Sequence, residues 1–170
     1  MQLNRIVTQT VVSASREIAA PADKIFELIA DPSQQPRWDG NDNLAEADAG
    51  QRVQAAGDVF TMVLTMGVLR DNHVAEFDEG RLIAWRPSEQ GKEPPGHLWR
   101  WQLEPVDDSR TLVTHTYDWS RLTDKNRLPR ARATTADKLQ GVYRQARRTC
   151  RAQLSRRPRN QSKSTTARTN

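Results

Sequence analysis

One stretch, from Ser13 to Gly40, constrains the fold more than any other, because a polar-apolar alternation is cut by a proline and turns into a short amphipathic helix. Val12, Ala14 and Ile18 end an alternation that predicts a strand. Pro21 supplies a preset φ at the first helical position, and Asp23 places a carboxylate near the positive helix N-terminus. Ile25, Phe26, Leu28 and Ile29 form the apolar stripe, and Asp31, held just before Pro32, is pushed out of the helical region. The helix is therefore expected to start at Pro21 and stop at Asp31. At about two to three turns it is too short to be stable alone in water, so it must pack on another element.

The middle of the chain reads as strands. Val59 to Met66 alternates, with Phe60, Met62, Leu64 and Met66 on one face. Arg70 to Asp78 and Arg81 to Pro87 follow as a hairpin turning at Glu79-Gly80, and Ser88 to Gly96, which has no apolar residue, is expected to be an exposed loop. His97 to Val106 and Arg110 to Trp119 form the clearest pair, closed at Asp107-Asp108-Ser109. A one-residue slip would turn Trp99 and Trp101 away from Val113 and Tyr117, so paired positions should have an even sum, such as Trp101 with His115 and Trp99 with Tyr117. A shift of two residues satisfies the same rule. In either register one face gathers Trp99, Trp101, His115, Tyr117 and Trp119. From the residues alone this is a packed aromatic core before it is a ligand surface.

A final helix is expected from Pro129 to Leu154. Leu139, Val142, Tyr143, Ala146 and Cys150 fall on one stripe, and Arg144, Arg147, Arg148 and Arg151 mark the other side. Cys150, the single cysteine, reads as a buried structural thiol. Beyond it, residues 155–170 form a basic tail that cannot bury an apolar surface and is expected to be disordered.

Charge is uneven along the chain. Residues 1–120 carry 11 Lys and Arg against 19 Asp and Glu, whereas residues 121–170 carry 15 against 2. Such asymmetry points either to an anionic partner or to an acidic sheet facing a basic helix within one domain, and the second is the simpler reading. Met1 to Gln9 has no apolar run, and no stretch approaches the about 20 apolar residues of a membrane span, so a cytoplasmic protein is the expectation. No Gly-rich phosphate loop, paired cysteines or His-Glu-x-x-His are present, so neither a metal nor a cofactor is expected.

The order Ile18-Ala19-Ala20-Pro21, then Ile25-Phe26-Glu27-Leu28, then Asp31-Pro32, then Arg37-Trp38 resembles the opening of the START-like (SRPBCC), helix-grip superfamily, in particular its polyketide cyclase/dehydrase and lipid transport group. The segment from Trp119 to Arg130 is similar to that group's link between the last strand and the final helix. The resemblance implies an α+β helix-grip fold: a curved antiparallel sheet of about six to seven strands wrapped around a long C-terminal helix, with two short helices after the first strand. It also implies a division into an N-terminal extension (1–9), a START-like domain (10–154) and the basic tail (155–170).

Under this resemblance the aromatic face lines a ligand cavity. Its expected wall is Phe60, Met62, Leu64, His73, Phe77, Trp85, Trp99, Trp101, His115, Tyr117 and Trp119, closed by Leu139, Val142, Tyr143 and Ala146 from the last helix. The expected function is binding of a hydrophobic or aromatic, lipid- or polyketide-like molecule, as a carrier or sensor. Two alternatives stand beside it. One is a polyketide cyclase or aromatase in which His115 or Tyr117 moves a proton. The other is recruitment to nucleic acid or an anionic membrane through Arg144, Arg147, Arg148, Arg151 and the tail. Oligomeric state is open between monomer and homodimer.

Overall fold

The computed structural model describes residues 9–39, 43–141 and 143 of the chain. Its strands are β1 (Val11–Ile18), β2 (Leu44–Glu46), β3 (Val59–Leu64), β4 (Leu69–Asp78), β5 (Leu82–Glu89), β6 (Leu98–Asp107) and β7 (Arg110–Asp118). They form one antiparallel sheet in the order β1-β7-β6-β5-β4-β3-β2. Between β1 and β2 lie helix α1 (Ala22–Ala30) and a 3-10 helix over Pro32–Arg37, the two short helices expected after the first strand.

Helix α1 shows how local sequence becomes tertiary structure. Pro21 is its N-cap, with φ −62° but an extended ψ of 146°, so the helix proper begins one residue later than the proline rule suggested. Ile25, Phe26, Leu28 and Ile29 are buried on the inner face of the sheet, each contributing about 1.5–3 kcal/mol on apolar burial. A helix end leaves its last four carbonyls without intrahelical partners. Here every one is answered. Glu27 O accepts from Asp31 N–H (3.1 Å), Leu28 O from Trp38 Nε1 (2.8 Å), Ile29 O from Gln35 Nε2 (3.0 Å) and Ala30 O from Val53 N–H (2.9 Å). The Asp31 carboxylate in turn caps the 3-10 helix through Ser33 N–H at 3.0 Å and Ser33 Oγ at 2.7 Å. Trp38 and Gln35 are thereby held on the inner side of the sheet.

The pair β6–β7 has the even-sum register: Trp99 opposes Tyr117, Trp101 opposes His115 and Leu103 opposes Val113. Its turn is tied by Asp107, whose carboxylate accepts Ser109 N–H and Ser109 Oγ, both at 2.9 Å, and Arg110 Nε at 2.8 Å. Those three bonds hold the Asp107 carboxyl down at about 2.

Four expectations are corrected. Met66 does not continue the inner face of β3; it sits in the turn to β4 and is exposed. Ser88 is fully buried inside β5, with its hydroxyl 3.0 Å from His73 Nε2, and the turn beyond folds back so that Gly91 N–H donates to Asp71 at 2.9 Å. An absence of apolar residues did not imply exposure there, because a neighbouring imidazole satisfies the hydroxyl.

The third correction concerns phase in β4. A bulge between Val74 and Glu76 shifts the register with β5, so Arg70, Asn72 and Val74 share the inner phase before it and Phe77 regains that phase after it. His73 consequently faces the outer side, opposite Val59 and Arg86.

The last correction concerns the final helix. Helix α2 (Leu128–Arg132) stops, the chain unwinds over 133–135, and helix resumes at 136. Two threonines compete with the helical pattern at the break: Thr134 Oγ1 donates to Arg130 O at 3.1 Å, and Thr135 Oγ1 accepts Lys138 N–H at 3.4 Å. Leu139 and Tyr143 are buried against the sheet. The expected end of this helix at Leu154, the positions of Val142, Ala146 and Cys150, the Arg row from Arg144 to Arg151, the tail and residues 1–8 lie outside the described residues. Among the described residues, no helix is long and apolar enough to cross a membrane.

Candidate functional site: an aromatic cavity with a cationic end

Between the inner face of the sheet, the 3-10 helix and α2 lies a cavity of about 150 Å³. Strands β5, β6 and β7 supply its aromatic wall through cross-strand rows. Trp85 opposes Trp99, which opposes Tyr117; one row further, Trp101 opposes His115. Along β6 and β7 these side chains interleave as a stack: Tyr117 lies on Trp99 (centroids 4.3 Å, 28°), Trp99 on His115 (5.3 Å, 29°), and His115 nearly flat on Trp101 (3.7 Å, 8°). Trp38 stands edge-on to Trp101 at 5.3 Å and 87°.

Of the residues expected at the wall, Met62, Leu64, Trp85, Trp99, Trp101, His115 and Tyr117 line this cavity. Phe60 stands behind Trp85 with their rings 5.5 Å apart, and Phe77 packs under α1 with its ring 5.8 Å from that of Phe26. Trp119 and Leu139 are buried in the core away from the cavity. Tyr143 lies behind Trp101, ring to ring at 6.0 Å, and its hydroxyl sits 2.7 Å from Ala14 O and 3.0 Å from Val113 O, where it ties the last helix to β1 and β7. His73, on the outer face, is not part of the wall.

The sequence reading missed the polar part of the wall. Gln35, Trp38, Asp39 and Asn43 come from the segment between α1 and β2, Arg70 and Asn72 from β4, His97 from just before β6, and Arg127, Arg130 and Thr134 from around α2. Two signals were present in the chain. Arg127 and Arg130 have the i, i+3 spacing of one helical face, and His97 shares the alternation of Trp99 and Trp101. For Arg70 there was none, because the bulge that sets its phase is invisible in the pattern.

Burial sets the chemistry. His115 is enclosed, and desolvation holds its imidazole at about 3; His97, buried with Arg127, Arg70 and Arg130 nearby, is held at about 4. Both are neutral at neutral pH. Burial pushes the Tyr117 phenol up, against the opposing influence of Arg130 and Arg127. Five buried side-chain polar atoms among the described residues have no hydrogen-bond partner in the protein, and four belong to cavity residues: Arg70 Nε, His97 Nδ1, Trp101 Nε1 and His115 Nδ1. Buried polar groups are normally satisfied, so their gathering at one cavity is informative. Among the described residues no three His, Cys, Asp or Glu side chains converge as metal ligands do.

The family model described as polyketide cyclase / dehydrase and lipid transport matches residues 9–155. The chain belongs to this family. An uncharacterized protein of Mycobacterium tuberculosis is 30% identical over 111 residues, which is 64% of this chain and 47% of that protein, so the chain spans about half the length of the curated relative it matches. Among solved structures, a protein of Rhodobacter sphaeroides superposes with a TM-score of 0.62 at 19% identity, covering 84% of this chain and 93% of that one. A START superfamily protein of Mycobacterium smegmatis superposes with a TM-score of 0.59 at 14% identity, covering 84% and 98%. At such identities these structures speak to the fold alone.

Proposed function

We propose that this chain binds a compact hydrophobic or aromatic small molecule in the cavity and acts as a carrier or sensor. The observation that carries this reading is the stack of Tyr117, Trp99, His115 and Trp101 along one wall. Concave, mostly aromatic surfaces with a few polar groups are what small-molecule sites consist of. A volume of about 150 Å³ suits one or two fused rings better than a long acyl chain.

The family's description also names a polyketide cyclase and a dehydrase. Proton transfer near neutral pH needs a group whose pKa lies near the working pH. His115, held at about 3, and Tyr117, pushed upward, are both far from that condition, which favours binding over catalysis at these residues.

Native mass spectrometry of freshly purified protein, followed by denaturing extraction, tests the reading. A stoichiometric apolar adduct is expected. A bare protein that also fails to take up added naphthalene derivatives would overturn it. Recruitment through Arg144 to Arg151 and the tail remains a separate question, tested by salt-sensitive association that is lost on removing residues 155–170.

A further inference from the structure

The polar wall goes beyond a generic apolar site. Two of the four partnerless atoms, Arg70 Nε and Trp101 Nε1, can only donate, so what they lack is an acceptor. Charge is also unbalanced at one end. Arg127 is held by Asp124 (3.0 Å) and lies 3.7 Å from Glu89, whose carboxylate also takes Lys92. Asp39, elsewhere on the wall, accepts Asn43 N–H at 3.2 Å. Arg70 and Arg130 make no ion pair with any described residue, although Arg70 is substantially buried and both line the cavity. Burial and then the nearby charges of Arg127 and Arg130, offset only in part by Glu89, make protonated Arg70 costly as it stands, pulling its pKa down. An anion placed between Arg70 and Arg130 relieves that cost. Arg130 is exposed, so this end of the cavity reaches the surface, while the stacked rings lie deeper.

We infer that the ligand is an aromatic carboxylic acid, its rings against Trp99 and Trp101 and its carboxylate held by Arg70 and Arg130. The planar fork of a guanidinium matches a carboxylate, and a carboxylate is coplanar with a flat ring system, so one thin molecule meets both requirements. This assignment rests on the aromatic-cavity reading above and adds the charged group to it.

The test is calorimetric titration of the full chain at neutral pH with naphthoate and with naphthamide, which has the same shape and no charge. Wild type should bind naphthoate at least about tenfold more tightly than naphthamide, as charge-assisted hydrogen bonds imply. Arg70→Gln should abolish that preference by lowering the affinity for naphthoate toward that for naphthamide. Arg130→Gln, at an exposed position where folding is not at stake, should reduce it severalfold. Equal affinity of wild type for the two compounds, or a preference that survives in both variants, would overturn the carboxylate assignment and leave the aromatic cavity standing. Failure of both compounds to bind wild type would bring down the carboxylate assignment and the aromatic-cavity reading together.

Discussion

On the outer face of β1 and β7, Ser13 meets Thr116 and Ser15 meets Thr114, each hydroxyl pair at 2.8 Å, and across β5 the carboxylate of Glu76 grips Arg100 over the buried Ala84. On the inner face of the same strands, His115 Nδ1 and Trp101 Nε1 have no partner at all. Of these outer groups Ser13 and Ser15 are exposed while Thr116 is buried, and all of them pair. The inner groups are buried without a partner in the protein, and an unsatisfied buried group costs about 1–3 kcal/mol. Polar atoms in deficit on the buried side and in balance on the wet side are what a sheet shows when its inner face is shaped for something besides its own stability.

The contrast is broken most directly at Trp101. Replacing it with alanine removes the ring that His115, Trp38 and Tyr143 all pack against, and should cost about 3–5 kcal/mol in chemical denaturation. A loss below about 1 kcal/mol would mean that the inner face is loosely packed and that its stacking has little to do with stability.

A second handle is pH. His115 titrates near 6.5 in the unfolded chain and at about 3 in the folded one, so between these values the unfolded state binds more protons. Its contribution to stability is complete above about pH 6.5 and is lost as pH falls toward 3. His97, held at about 4, acts in the same direction. At pH 5, His115→Phe should show about 2 kcal/mol less acid destabilisation than wild type, measured as the difference between denaturation curves at pH 7 and pH 5. Equal acid sensitivity in the two proteins would show that His115 is not buried in its neutral form.

The smallest effect belongs to the outer face. Ser13→Ala combined with Thr116→Val removes both partners of one hydroxyl pair and should change stability by about 0.5 kcal/mol or less, because neither group is left wanting. A change of several kcal/mol would erase the distinction between the faces.

The strands of greatest aromatic content were also the most legible. Trp99, Trp101, Val113, His115 and Tyr117 alternate without interruption, so the even-sum register of β6 and β7 and their shared inward face could be argued from spacing, with only a two-residue shift left open for the Asp107 turn to settle. Strand β4 was not legible in this way. Its bulge near Ala75 reverses phase in mid-strand, so His73 and Phe77, four apart in sequence, lie on opposite sides, and Arg70 and Asn72 take the inner positions. Nothing in the residue types of Leu69 to Asp78 announces that insertion. The final helix failed for a similar reason: its apolar stripe was visible, but the break at Thr134-Thr135 was not, and Arg127, Arg130 and Thr134, on and just before that break, line the cavity.

What the sequence by itself determined is whatever depends on short-range periodicity and steric limits: a strand stopped by a proline, a helix stopped at Asp31-Pro32, an alternating aromatic hairpin, and the family to which that order belongs. Those signals survive in one dimension because they arise between neighbours a few residues apart. Only the tertiary structure decided which polar groups meet. Arg70, His97 and Arg130 are separated by tens of residues, and their convergence on one cavity depends on sheet curvature, a bulge and a helix break, each set by packing between elements rather than by any local residue preference.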